Sequence, residues 1–111
     1  MDTIYALASA PGKSGVSVVR ISGPVSFVIA NHLLKRCPTP RFSQLVTIRD
    51  QFGVVIDTCL AIFFRAPASF TGEDILELQV HGSAAVINAL SEWLLSFEGV
   101  RLAEPGEFTR R

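Results

Sequence analysis

The spacing of apolar residues changes along the chain, and each change marks an element. Residues 16–22, Val-Ser-Val-Val-Arg-Ile-Ser, are β-branched and valine-rich, which predicts a strand. Residues 3–8 read as a shorter strand. Between the two, Ala10-Pro11-Gly12-Lys13-Ser14-Gly15 reads as a loop because of its proline and two glycines. Ser22-Gly23-Pro24 is a helix start, with Ser22 or Gly23 as the cap and proline in the first turn. Val25, Val28, Ile29 and Leu33 then recur at helical spacing to about residue 36, and Cys37-Pro38-Thr39-Pro40 stops the helix. Residues 45–50 and 54–65 read as strands around the turn Asp50-Gln51-Phe52-Gly53, a hairpin signal. A loop over 66–72 leads to residues 75–80, whose alternation predicts a strand. Gly82-Ser83 opens a second helix with Val86, Ile87, Leu90, Leu94 and Phe97 as its apolar stripe, and Gly99 follows its end. Residues 100–103 form a short last strand.

The predicted order is β-β-α-β-β-β-α-β. Hairpins mixed with helices predict an α+β fold: a two-layer sandwich in which helices cover one face of a mixed, mainly antiparallel sheet. A ferredoxin-like plait is the nearest simple model. The length suits one domain spanning 1–111. The composition, 49 % hydrophobic and 18 % charged, supports a packed core without disulfide or metal staples and leaves room for a partner-covered face.

Charge narrows the function. Ten basic and ten acidic residues cancel, so the chain carries no broad electrostatic footprint for nucleic acid. Lys35-Arg36 and Arg110-Arg111 are short and read as solvated. Cys37 and Cys59 show no CxxC or zinc spacing, which fits a reducing cytosol, and Cys59 lies in an apolar run as a small core residue. No signal-peptide pattern and no membrane-length apolar run is visible, so no membrane role is expected.

Gly12-Lys13-Ser14 looks like the tail of a nucleotide-binding P-loop. That motif needs an earlier glycine, and the position it would occupy is Leu7. A strand, not a helix, is also expected to follow. The helix N-terminus supplies the amides that bind phosphate, so Lys13 reads as a loop lysine and the glycines as a turn.

The more informative charges lie inside strands. Arg20 shares a strand face with Val16 and Val18. A charge there is paired, liganded or at the solvent edge. In "FTGEDILELQVHGS", Leu76, Leu78 and Val80 point one way, and Glu77, Gln79 and His81 point the other. The row reads either as a solvated face or an Arg20–Glu77 ion pair, or as a polar pocket. In a pocket, a carboxylate accepts two parallel N–H bonds and suits a guanidine-like edge such as a pterin, while Arg20 suits a ligand carboxylate or carbonyl. His81 has no visible nucleophile or orienting partner, so no catalytic residue and no metal site is expected. His32 reads as surface or core, Glu73-Asp74 as turn or cap residues, and Trp93 and Phe97 as core or dimer interface.

Three ordered motifs, "DTIYALASAPGKSGVSVVRISGP", "SFTGEDILELQVHGS" and "AEPGEFTRR", run from Asp2 to Arg111. Together they resemble the N-terminal domain of the tRNA-modification GTPase family called MnmE or TrmE. The resemblance implies a folate-binding domain like that of one-carbon enzymes, which also mediates homodimer formation. It implies 5-formyl-tetrahydrofolate as the ligand near the dimer interface, with the family's contacting arginine at Arg20 and its contacting glutamate at Glu77. It further implies a longer protein whose helical and GTPase domains, the latter using GTP, potassium and magnesium, are absent from this chain, so no GTP hydrolysis is expected of it alone. With a flavin-dependent partner (MnmG or GidA) such proteins form 5-carboxymethylaminomethyl-uridine at the wobble position of certain tRNAs in the cytoplasm. Lys13-Ser14-Gly15, Ser17 and Ser83 depart from a more glycine-rich family pattern and add bulk near the implied pocket. Two other readings are a structural dimerisation module without ligand, and a free-standing folate-dependent transferase for which no acid or base is identifiable.

Overall fold

The computed structural model describes residues 2–8, 15–34, 43–66, 69 and 71–110. Its elements are β1 (Thr3–Leu7), β2 (Val16–Ser22), α1 (Pro24–Leu33), β3 (Ser43–Arg49), β4 (Val55–Phe64), β5 (Ile75–His81), α2 (Ala84–Leu95), β6 (Val100–Leu102) and α3 (Glu107–Arg110). All eight expected elements are present, and the short α3 is an addition. Gly12, Lys13, Ser14, the helix stop at 37–40 with Cys37, the pair Lys35-Arg36, Arg111 and positions 67, 68 and 70 of the expected loop lie outside the described residues.

The strands form one mixed, open sheet in the order β3-β4-β5-β2-β1-β6. Every neighbouring pair is antiparallel except β1 with β6, which is parallel. Without β1 and β3 the order would be β4-β5-β2-β6, that of a four-stranded ferredoxin-like plait. The plait expectation therefore needs a correction: β1 enters between β2 and β6, and β3 extends the other edge by pairing with β4. A hairpin built on Asp50 explains the second addition. Its carboxylate accepts from the amides of Phe52 (2.8 Å) and Val54 (2.9 Å), and Gly53 takes the positive φ of 84° that the turn requires.

Alternation sorts each strand into two faces. Val19 and Ile21 of β2, Leu76 and Leu78 of β5, and Ala61 and Phe63 of β4 are buried in one cluster with Ile29 of α1 and Leu90 and Trp93 of α2. Burial of each large aliphatic or aromatic chain contributes about 1.5–3 kcal/mol. Both longer helices cover this face, as expected, and meet through His32, whose ring lies 6.2 Å from those of Trp93 and Phe97. Trp93 is core. His32 is exposed against it. The apolar stripe of α1 is shifted from its expected position: Ser26, Ile29 and Ala30 are buried, and Val28 is 54 % exposed.

The start of α1 is capped from a distance. Gly23, at φ 130°, has no side chain to cap the helix, and Thr3 Oγ1 accepts from the Val25 amide at 2.8 Å instead. A Cβ on Gly23 would lie 2.8 Å from Thr3 Cα, so the close approach of β1 to this turn requires glycine. In α2 the cap is local: Ser83 Oγ accepts from the Val86 amide at 3.2 Å.

Candidate functional site

The second face of the sheet carries Val16, Val18 and Arg20 of β2 and Glu77, Gln79 and His81 of β5. In the antiparallel register Arg20 lies opposite Glu77, Val18 opposite Gln79 and Val16 opposite His81. Arg20 Nε donates to Glu77 Oε1 at 3.0 Å, and Gln79 Nε2 donates to Glu77 Oε2 at 3.3 Å. The Glu77 side chain is only 12 % exposed, and that of Arg20 is 37 % exposed. Ile62 of β4 stands on the other side of Glu77. A mostly buried carboxylate is thus held between an apolar strand and a guanidinium.

The ion pair is direct, and Arg20 also lines two clefts. One, of about 100 Å³, is bounded by Arg20, Glu77, Phe64 and Ile75. The other, of about 190 Å³, is bounded by Arg20, Ala6, Leu7, Ala8, Phe108 and Thr109. Sites for drug-sized ligands generally span roughly 300–1,000 Å³, so neither cleft accepts such a molecule whole. A larger cleft of about 430 Å³ lies between the end of α1 and β3, and Arg49 is the only charged residue among its described lining. None of its described lining residues belongs to β2 or β5.

The polar row does not continue to His81 as the alternation implies. Its ring turns aside to Asp57 on β4, with Nδ1 2.7 Å from Oδ1, while the His81 amide donates to Oδ2 at 2.8 Å. Asp57 is the orienting partner that the sequence did not reveal, because the two residues are far apart along the chain. The imidazole is 71 % exposed and the carboxylate 10 % exposed, so the ring is fixed at one nitrogen and presented at the other. Asp57 also acts on its neighbour: burial first, and the Asp57 charge second, push the Cys59 thiol up to about 12.

Glu73 and Asp74 do serve the turn. Ser22 Oγ donates to Glu73 Oε1 at 3.0 Å, and Asp74 Oδ1 accepts from the Ala66 amide at 2.8 Å. They fix the end of the sheet nearest Ile75. Among the described residues no cluster of three or more histidine, cysteine or acidic residues could hold a metal ion, and no helix is long and apolar enough to cross a membrane.

This geometry stands on a chain whose residues 3–111 match the family model of the GTP-binding protein TrmE N-terminus. The chain belongs to that family. It is similar to proteins named tRNA modification GTPase MnmE: that of Dinoroseobacter shibae is 54 % identical over 111 residues, 100 % of this chain and 26 % of the relative. That of Pasteurella multocida is 46 % identical over 110 residues, 99 % of this chain and 24 % of the relative. The chain spans about a quarter of the length of these curated relatives.

Within this TrmE N-terminal chain, the third motif folds into a feature that the sequence did not show. Arg101 of β6 meets Asp2 and Glu107, whose hydrogen bonds, Glu107 first, raise the arginine pKa above its usual value. Ser17 is fully buried and its Oγ has no partner among the described residues.

Proposed function

We propose that this TrmE N-terminal domain binds a reduced folate of the 5-formyl-tetrahydrofolate type on the Arg20–Glu77 face, and that it serves as the folate-binding and dimerisation module of a tRNA-modification GTPase. The observation that carries the reading is Glu77, a mostly buried carboxylate that borders an open cleft beside a guanidinium. In that position it accepts paired N–H groups from the amino-pyrimidine edge of a pterin, and the bound edge takes the place of the Arg20 Nε bond to Glu77 Oε1. Arg20, released toward the second cleft, complements the carbonyl or carboxylate groups of the ligand. The acceptor and donor set fits the polar parts of a folate. The volumes do not accommodate all of it, so a second copy or another segment of the longer protein completes the site.

The name carried by the relatives supports the wider assignment. The parent protein hydrolyses GTP, with potassium and magnesium, in a domain outside this chain. With a flavin-dependent partner of the MnmG or GidA kind it modifies wobble uridine to 5-carboxymethylaminomethyl-uridine in the cytoplasm. The domain's own contribution is ligand binding and pairing of two copies, without a catalytic residue. A structural dimerisation module is the rival reading, favoured by the direct 3.0 Å ion pair.

An NMR titration of the parent protein with 5-formyl-tetrahydrofolate separates the two. Shifts centred on Val19–Ile21 and Leu76–Leu78 are expected. Saturable shifts elsewhere would move the ligand off the Arg20–Glu77 face, and no shifts at millimolar ligand would leave the structural reading.

A further inference from the structure

The four residues of α3 cannot hold a helix by themselves, since a single turn is too short to be stable in water. Only Phe108 among them is apolar. The element is instead tied down by a charged clamp. Arg101 donates through Nη1 to Glu107 Oε1 at 2.8 Å and through Nη2 to Oε2 at 2.5 Å, a two-point fork. Its Nε donates to Asp2 Oδ2 at 2.5 Å. Glu107 Oε1 also accepts from the Glu104 amide at 2.9 Å, which closes the turn before the helix, and Gly106 takes a φ of 76° there. The Glu107 side chain is 11 % exposed. One arginine therefore joins the beginning of β1, the last strand and α3.

The two residues after Glu107 form a wall of the site. Phe108 and Thr109 line the 190 Å³ cleft opposite Ala6 and Ala8, with Arg20 between that cleft and the one bordered by Glu77. We propose that Arg101 is a positioning residue, which through its two-point hold on Glu107 fixes Phe108 and Thr109 as the wall of the cleft on the far side of Arg20. Among its described lining residues that cleft is apolar except for Arg20 and a threonine. It takes the aryl part of the ligand beyond the pterin, whereas the Glu77 cleft takes the pterin edge. This assignment rests on the folate reading above.

The test uses the natural protein with Arg101→Lys, which keeps the charge and loses the fork, and Glu107→Gln, which removes the fork from the other side. A 19F label on the ring at position 108 reports α3 without ligand. Parent protein should give a dispersed signal, and both variants a signal moved toward that of the unfolded chain. Calorimetry then compares 5-formyl-tetrahydrofolate with a reduced pterin lacking the aminobenzoyl-glutamate part. Both variants should bind the whole ligand at least about tenfold more weakly, as a misplaced wall would require. The pterin fragment should stay within roughly twofold, because the Glu77 cleft lies apart from the clamp. An unchanged 19F signal overturns the proposal. So does an equal loss for both probes accompanied by a fall in thermal stability, which marks a general structural role. If parent protein binds neither probe, the folate reading fails, and the 19F comparison alone decides whether Arg101 positions α3.

Discussion

Arg20 and Glu77 face each other across β2 and β5 with 3.0 Å between Nε and Oε1, but the arginine remains 37 % exposed. Ion pairs open to water contribute about 0.2–1 kcal/mol; Glu77 is mostly buried, but the arginine side of the pair is open, and on that side the carboxylate can be exchanged to another donor. A double-mutant cycle with Arg20→Met and Glu77→Gln, read by urea unfolding, should give a coupling below about 1 kcal/mol. A coupling several times larger would make the pair a structural lock.

Ser17 carries a cost. Its Oγ is buried without a partner among the described residues and lies 2.9 Å from where a Cβ on Gly82 would stand. A buried hydroxyl left without a bond costs about 1–3 kcal/mol. Ser17→Ala should raise stability in thermal unfolding by up to that amount. Gly82→Ala should destabilise the parent and be milder in the Ser17→Ala background. Equal effects in both backgrounds would show that Ser17 Oγ is not the obstacle.

Cys59 should make stability depend on pH in the alkaline range. Its folded-state value, about 12, lies above the ordinary thiol value of 9.0. Below 9.0 both states hold the proton and the group adds no pH dependence. Between the two values the unfolded chain releases the proton and the folded chain keeps it, so stability falls as pH rises. The slope reaches at most about 1.4 kcal/mol per pH unit. Cys59→Ala should flatten this part of the profile relative to the parent. Identical alkaline slopes in the two proteins would contradict the burial of the thiol.

Asp57 should fix the tautomer of His81. Its carboxylate oxygens accept from the His81 amide and from Nδ1, so neutral His81 carries its proton on Nδ1. 15N NMR of the imidazole should show that form in the parent and a shift toward Nε2–H in Asp57→Ala. An unchanged tautomer would show that the contact does not hold the ring.

Much of this was legible locally. The strand alternation placed Arg20 and Glu77 on one face, and charges inside apolar strands marked them before any geometry was known. The hairpin at Asp50 and the cap at Ser83 followed from turn and cap chemistry. What remained hidden depends on contacts between distant segments. β1 lies between β2 and β6 because of strand order, which periodicity does not encode. Asp57 meets His81, and Asp2 meets Arg101, only once the sheet has formed. α3 was missed because its own sequence does not favour a helix, and the Arg101–Glu107 fork supplies what local propensity lacks.

The central claim is that Glu77 holds the ligand. Titration calorimetry with 5-formyl-tetrahydrofolate, on the natural protein and on Glu77→Ala, tests it most directly. Loss of a charged acceptor to a buried polar edge costs about 1.5–3 kcal/mol, roughly 10- to 150-fold in affinity. We expect saturable binding to the parent and a loss of that size in the variant. Equal affinities in parent and variant would contradict the account.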